Sequence, residues 1–176
     1  MEFWLPLTNL AELEYRKEEF GNAEQVLNDI LAILDGSDHS NNTQYHYVYS
    51  KLGEIALAVE DYKKAIKSFK KGISVMKNDG FPFDAYAGLA QVYAESNNIN
   101  QAIDVLKEMD KHARSFFDQE DNYASPYAME NMGYLYLKKE NTQKAVKLFL
   151  EALEMYRLLG SEEDVNEIQD FLEPYL

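Results

Sequence analysis

Four times along this chain a very small residue directly follows a large one, and a second small residue comes twelve positions later. The first set is Ala11, Gly53, Ala90 and Gly133, preceded by Leu10, Leu52, Leu89 and Met132. Leu7, Tyr49, Tyr86 and Met129 stand three positions before those large residues, and Glu14, Ala56, Tyr93 and Tyr136 three positions after the small ones. The later small residues are Ala23, Ala65, Ala102 and Ala145, each followed by Leu27, Phe69, Leu106 or Phe149 and then by Ile30, Gly72, Met109 or Ala152. Offsets of three, four and seven keep side chains on one face of an α-helix. A small residue on each of two successive helices lets their backbones approach, and the large neighbours fill the space beside them. The pattern therefore specifies helical hairpins.

Short polar segments separate the two helices of each hairpin: Glu18–Asn22, Glu60–Lys64, Asn97–Gln101 and Glu140–Lys144. Asp or Asn in these turns can accept hydrogen bonds from the unpaired amides that open a helix. Phe20, Tyr62 and Ile99 can plug the turns from within. Proline and glycine number only 4 and 8, which leaves long segments free to be helical.

The whole pattern resembles the tetratricopeptide repeat, W-x2-L-G-x2-Y followed by A-x3-F and a closing proline. Leu52-Gly53, Tyr93, Tyr136, Ala65/Phe69 and Ala145/Phe149 match it residue for residue. The resemblance implies an all-α fold, an α-α superhelix (solenoid) of about nine antiparallel helices. The expected organisation is one domain over 1–176, with repeats near 4–37, 44–79, 83–117 and 125–160 and a capping helix at 162–173. Two features depart from the pattern. The closing proline is replaced by Asp35, Lys77, Arg114 and Arg157, and the period is 42, 37 and 43 residues. Longer second helices and longer loops are both expected: one extended helix over 101–117, and loops at 35–42 and 78–82. Such stretched repeats resemble those of kinesin-light-chain-like proteins and of bacterial peptide-sensing regulators. In the tail, Ser161 reads as a helix cap before an acidic first turn, with Val165, Ile168, Phe171 and Leu172 as an apolar stripe. Phe3 and Trp4 are expected ahead of the first helix, with Pro6 in its opening turn, either covering that end or marking a face for homo-oligomers.

The residues argue against chemistry. There is no cysteine, which removes disulfides, thiolate metal sites and cysteine nucleophiles. His39, His46 and His112 are scattered and read as structural. No phosphate-binding glycine loop or nucleophile elbow occurs, so neither an enzyme nor a cofactor is expected. The net charge of −14 disfavours nucleic acid and anionic membrane surfaces as partners. No basic start with an apolar run marks a secretion signal, and a cytoplasmic location is the expectation.

The resemblance then implies a scaffold or adaptor for a protein or peptide, held in a concave groove lined by the first helices. Projecting the register places Thr8, Glu12 and Tyr15 there, with Tyr47, Ser50 and Glu54, then Asp84 and Gln91, then Tyr127, Glu130, Asn131 and Tyr134. Tyrosines give large contact areas and carboxylates attract Lys or Arg, so the expected ligand is basic with apolar anchors. Helix packing competes for the same tyrosines. Thr8, Glu12 and Gly88 stand where a chaperone-tail clamp needs Lys, Asn and Arg, so that specificity is not expected. Two alternatives stay open: a signalling-peptide sensor acting in trans, since nothing precedes the first repeat, and a self-associating assembly subunit. Lys63, Lys67, Lys70 and Lys71 share one face of a second helix and read as a solvated outer surface.

Overall fold

The computed structural model describes residues 4–36, 41–76 and 79–175. Phe3, His39 and Lys77 lie outside the described residues, as do the centre of the first predicted inter-repeat loop and Asn78 at the start of the second. The described residues form nine α-helices and two single-turn 3-10 helices, with no strand. In order they are α1 (Trp4–Arg16), α2 (Phe20–Asp35), α3 (Asn42–Ala58), α4 (Tyr62–Met76), α5 (Phe83–Glu95), α6 (Ile99–Phe116), α7 (Ala124–Lys138), α8 (Thr142–Leu159) and α9 (Glu162–Leu172). Helix α1 begins at Trp4, so Trp4 belongs to the helix it was expected to precede. The long second helices are real, with 18 residues each in α6 and α8. The fold is all-α and built of solenoid-type helical hairpins. It divides into two compact units, Met1–Val92 and Tyr93–Leu176.

One turn recurs between paired helices. Glu18, Glu60, Asn97 and Glu140 have φ of 63°, 59°, 61° and 57°, in the left-handed region that non-glycine residues avoid. Around each, two backbone bonds close a Schellman motif: Glu60 N–H reaches Leu57 O at 2.9 Å and Asp61 N–H reaches Ala56 O at 2.8 Å. The same pair forms at Glu18/Glu19, Asn97/Asn98 and Glu140/Asn141. These bonds satisfy carbonyls that a helix end leaves open, and they aim the chain back along its own helix. The next helix is then capped where the side chain allows. Asp61 accepts from Lys64 N–H at 3.1 Å and Asn141 from Lys144 N–H at 3.2 Å. Asn41 and Gln44 form a reciprocal capping box at α3. Ser161, read as a cap, makes no capping bond; its hydroxyl donates to the Asp164 carboxylate instead.

In the first unit, Ala23, Leu27, Ile30, Leu34, Val48 and Ile55 form a buried cluster on which Trp4, Tyr15 and Tyr47 pack. The Trp4 ring meets Tyr47 edge-on with centroids 5.6 Å apart. Phe69 of α4 is fully buried, and its ring lies 2.6 Å from where a β-carbon at Gly53 would stand. His46 Nδ1 donates to Gly72 O at 3.1 Å and fixes α3 to α4 as a structural histidine. In the second unit Phe149 takes the same place against Gly133, 2.8 Å from its would-be β-carbon. Helix α9 covers this end: Ile168 and Leu172 are buried, and the Phe171 ring packs on Phe149 with centroids 4.6 Å apart.

Candidate functional site

The projected lining residues fall into three groups. Thr8 and Ser50 are buried and unavailable to a ligand. Thr8 donates to the carbonyl of Trp4 at 3.0 Å, while Ser50 packs beside Gly72. Both stand three positions before the small residue of the first helix, on the side that helix packing buries. Asp84 and Gln91 of α5 are exposed. The remaining residues form one cluster in each unit.

In the first unit, Glu12, Tyr15, Tyr47 and Lys51 line a small recess with Ala11, Leu27 and Ile55. The carboxylates there are already answered. Lys51 Nζ lies 2.7 Å from Glu54 and 3.9 Å from Glu12, and Arg16 Nε lies 3.0 Å from Glu12. Burial works to lower the Lys51 pKa, but the hydrogen bond to Glu54 and the charges of Glu54 and Glu12 outweigh it and hold it above the usual lysine range. Burial also raises the Tyr47 pKa. Lys51 is the counter-ion of the cluster. Its i,i+3 spacing to Glu54 was visible in the sequence, but its link to Glu12 crosses from α3 to α1.

The second unit is built differently. Its Glu130 occupies the repeat position held by Thr8 in the first repeat and Ser50 in the second. A carboxylate thus stands half-buried in a seam made for small residues. Tyr156 of α8 donates its hydroxyl to Glu130 Oε2 at 3.1 Å, and the Tyr134 hydroxyl donates to the same carboxylate. Burial raises the Glu130 pKa most, and the nearby charges of Glu167 and Asp164 on α9 raise it further against those two hydrogen bonds. Burial and the Glu130 charge likewise raise Tyr127 and Tyr134, and they push Tyr156 far above its ordinary range. Among the described residues, no basic side chain is one of the groups acting on Glu130. Asn131 is occupied within its own helix, donating to Tyr127 O at 2.9 Å. The contributions of Tyr156, Asp164 and Glu167 were missed, because they come from α8 and α9 and carry no repeat signature.

No helix among the described residues is long and apolar enough to cross a membrane. The same residues hold no group of three His, Asp or Glu side chains that could bind a metal ion.

Known proteins resemble this chain in the same terms. The tetratricopeptide repeat family model matches residues 47–75 and 126–157, the two hairpins in which phenylalanine meets glycine. A TPR repeat-containing protein of Methanocaldococcus jannaschii is 26% identical over 151 residues, covering 86% of this chain and 23% of its own length. This chain therefore spans less than a quarter of that relative. Among solved structures, the apo form of RapI superposes with a TM-score of 0.75 at 10% identity, over 96% of this chain and 60% of RapI. The kinesin light chain TPR-like repeats of Podosopora anserina superpose with a TM-score of 0.65 at 12% identity, over 94% and 90% of the two chains. At such identities these likenesses speak to fold alone. Two segments of this chain thus match the tetratricopeptide repeat, and its four in-phase hairpins with their Schellman turns give the same kind of all-α solenoid fold.

Proposed function

We propose that the protein is a scaffold for a protein or peptide partner, and that the α7 face of the second unit takes a basic segment carrying apolar anchors. The tetratricopeptide fold supports partner-holding in general. The finer reading is carried by one observation: Glu130 is half-buried among tyrosines and faces Glu167 and Asp164, with no basic side chain among the described residues that act on it. A half-buried carboxylate beside two others is electrostatically costly, and an incoming lysine or arginine relieves that cost. Tyr127 and Tyr134 offer apolar ring surface beside it, suited to an aliphatic or aromatic anchor. The first unit is the poorer candidate for basic ligands, since Lys51 already neutralises Glu12 and Glu54.

The test is titration calorimetry with a peptide of alternating lysine and leucine or tyrosine, and with the same peptide carrying glutamine for lysine. Glu130→Lys and Tyr134→Ala are each expected to weaken binding by about tenfold or more, with Glu12→Lys much milder. Equal affinity for both peptides, unmoved by Glu130→Lys, would sink this reading.

A further inference from the structure

Three positions of the repeat's first helix are buried in every hairpin but the first. In α1 they are Pro6, Leu10 and Leu13. These correspond to Val48, Leu52 and Ile55 of α3, to Ala85, Leu89 and Val92 of α5, and to Ala128, Met132 and Leu135 of α7. None of the later residues exceeds 7% exposure, whereas Leu10 is 40% exposed, Leu13 is 48% exposed and Pro6 is exposed as well. The later copies are covered by the second helix of the hairpin before them. Helix α2 packs on α3 and α6 on α7, and Gly72 of α4 approaches Ala85 of α5.

Ile33 of α2 extends the open face. Its counterpart in the last hairpin, Met155, has its sulfur 3.8 Å from the Arg114 guanidinium of α6, while Ile33 is 38% exposed. Trp4 does not close the gap, because its ring turns onto Tyr47 of α3. A surface that the repeat elsewhere covers with a helix thus stands open, and exposed apolar faces of this kind mark protein contacts.

Charge narrows the occupant. At a net charge of −14, copies of this protein repel one another unless they meet through a neutral face. The open face is neutral: Trp4–Ala11 holds no charged residue, and Glu14 is answered by Lys17 at 3.2 Å and Asn22 at 3.3 Å. Helix α9 cannot stand in for the missing helix. Its exposed residues are Glu162, Glu163, Asn166, Glu167, Gln169 and Asp170, all acids or amides. Two copies of the open face suit each other, since both are apolar and uncharged.

We propose that the α1 face of one molecule packs on the α1 face of a second copy in a two-fold dimer. In such a contact residue i meets j and j meets i. Antiparallel α1 helices crossing near Leu10 therefore set Leu13 of each against Pro6 of the other, with Ile33 at the flank. The contact is apolar, so salt does not dissolve it, and screening of the like charges favours it. Two-fold closure stops growth at two copies. None of the residues of the α7 face takes part.

Sedimentation velocity on the 176-residue chain from about 5 to about 200 µM, at about 50 mM and about 500 mM salt, reads the association. The expected mass climbs to that of two copies and no further, with association unchanged or tighter at high salt. Leu10→Glu with Leu13→Glu should weaken it by about tenfold or more. Leu158→Glu, at an exposed leucine of α8, should leave it intact. The chain has no cysteine, so Leu10→Cys gives one thiol per molecule. Mild oxidation should then yield a covalent dimer that Leu158→Cys does not form. This readout stands whatever the double variant does to folding. A wild type still monomeric at about 200 µM overturns the proposal and leaves the face to another hairpin or another protein. So does a dimer indifferent to the double variant, growth past two copies, or equal cross-linking of both cysteine variants.

Discussion

The ring of Phe69 occupies the space in which a side chain at Gly88 would begin. Phe69 belongs to α4 and Gly88 to α5, and Gly53 of α3 meets the same ring. One phenylalanine therefore needs two glycines. Gly88→Ala and Gly53→Ala should each destabilise by about 1–3 kcal/mol through overpacking, despite alanine's better helix propensity. Phe69→Leu in the Gly88→Ala background should recover part of the loss, read as a coupling in denaturant melts. For the same reason an arginine introduced at Gly88 to rebuild a chaperone-tail clamp would displace Phe69.

The four left-handed turns predict the opposite sign. Glu60 and Glu140 hold φ near 60° without glycine's freedom. Glu60→Gly and Glu140→Gly should each raise stability, by about 0.5–1 kcal/mol in chemical denaturation, and Glu60→Val should lower it.

The pH dependence of stability should carry a signature of Glu130. Its folded pKa lies above the ordinary value, so the favourable contribution of its protonated form is fully present below the unfolded carboxyl pKa and is lost as pH rises through the folded one. The groups facing it are Tyr127 and Tyr134 on α7, Tyr156 on α8, and Asp164 and Glu167 on α9. Glu130→Gln keeps an acceptor for the tyrosines and removes the charge. Thermal melts should show the variant ahead of wild type near neutral pH, with the gap closing as pH falls towards that of an ordinary carboxyl.

Ser50 gives a sharper packing test. Its hydroxyl is buried and has no hydrogen-bond partner among the described residues. Ser50→Ala should therefore stabilise, by about 1 kcal/mol, rather than cost a bond. Gly72→Ala should destabilise, because its β-carbon would lie 3.1 Å from the Ala85 β-carbon and 3.4 Å from the Ser50 hydroxyl.

The sequence by itself determined the hairpins. Helical spacing and close approach are local demands, so Gly53 with Phe69 and Gly133 with Phe149 announce their packing in any copy of the repeat. The absence of cysteine likewise removed thiol chemistry before any coordinates were needed. Tertiary structure decided what the charges do. Glu12 and Glu130 look alike as projected carboxylates, yet Glu12 faces Lys51 from α3, while Glu130 faces Tyr156 from α8 and two carboxylates from α9. Those partners lie tens of residues away and follow no period, and burial sets how strongly each acts. Residue spacing encodes which helix face is apolar; only the folded chain sets the distance between two charges and the water excluded around them.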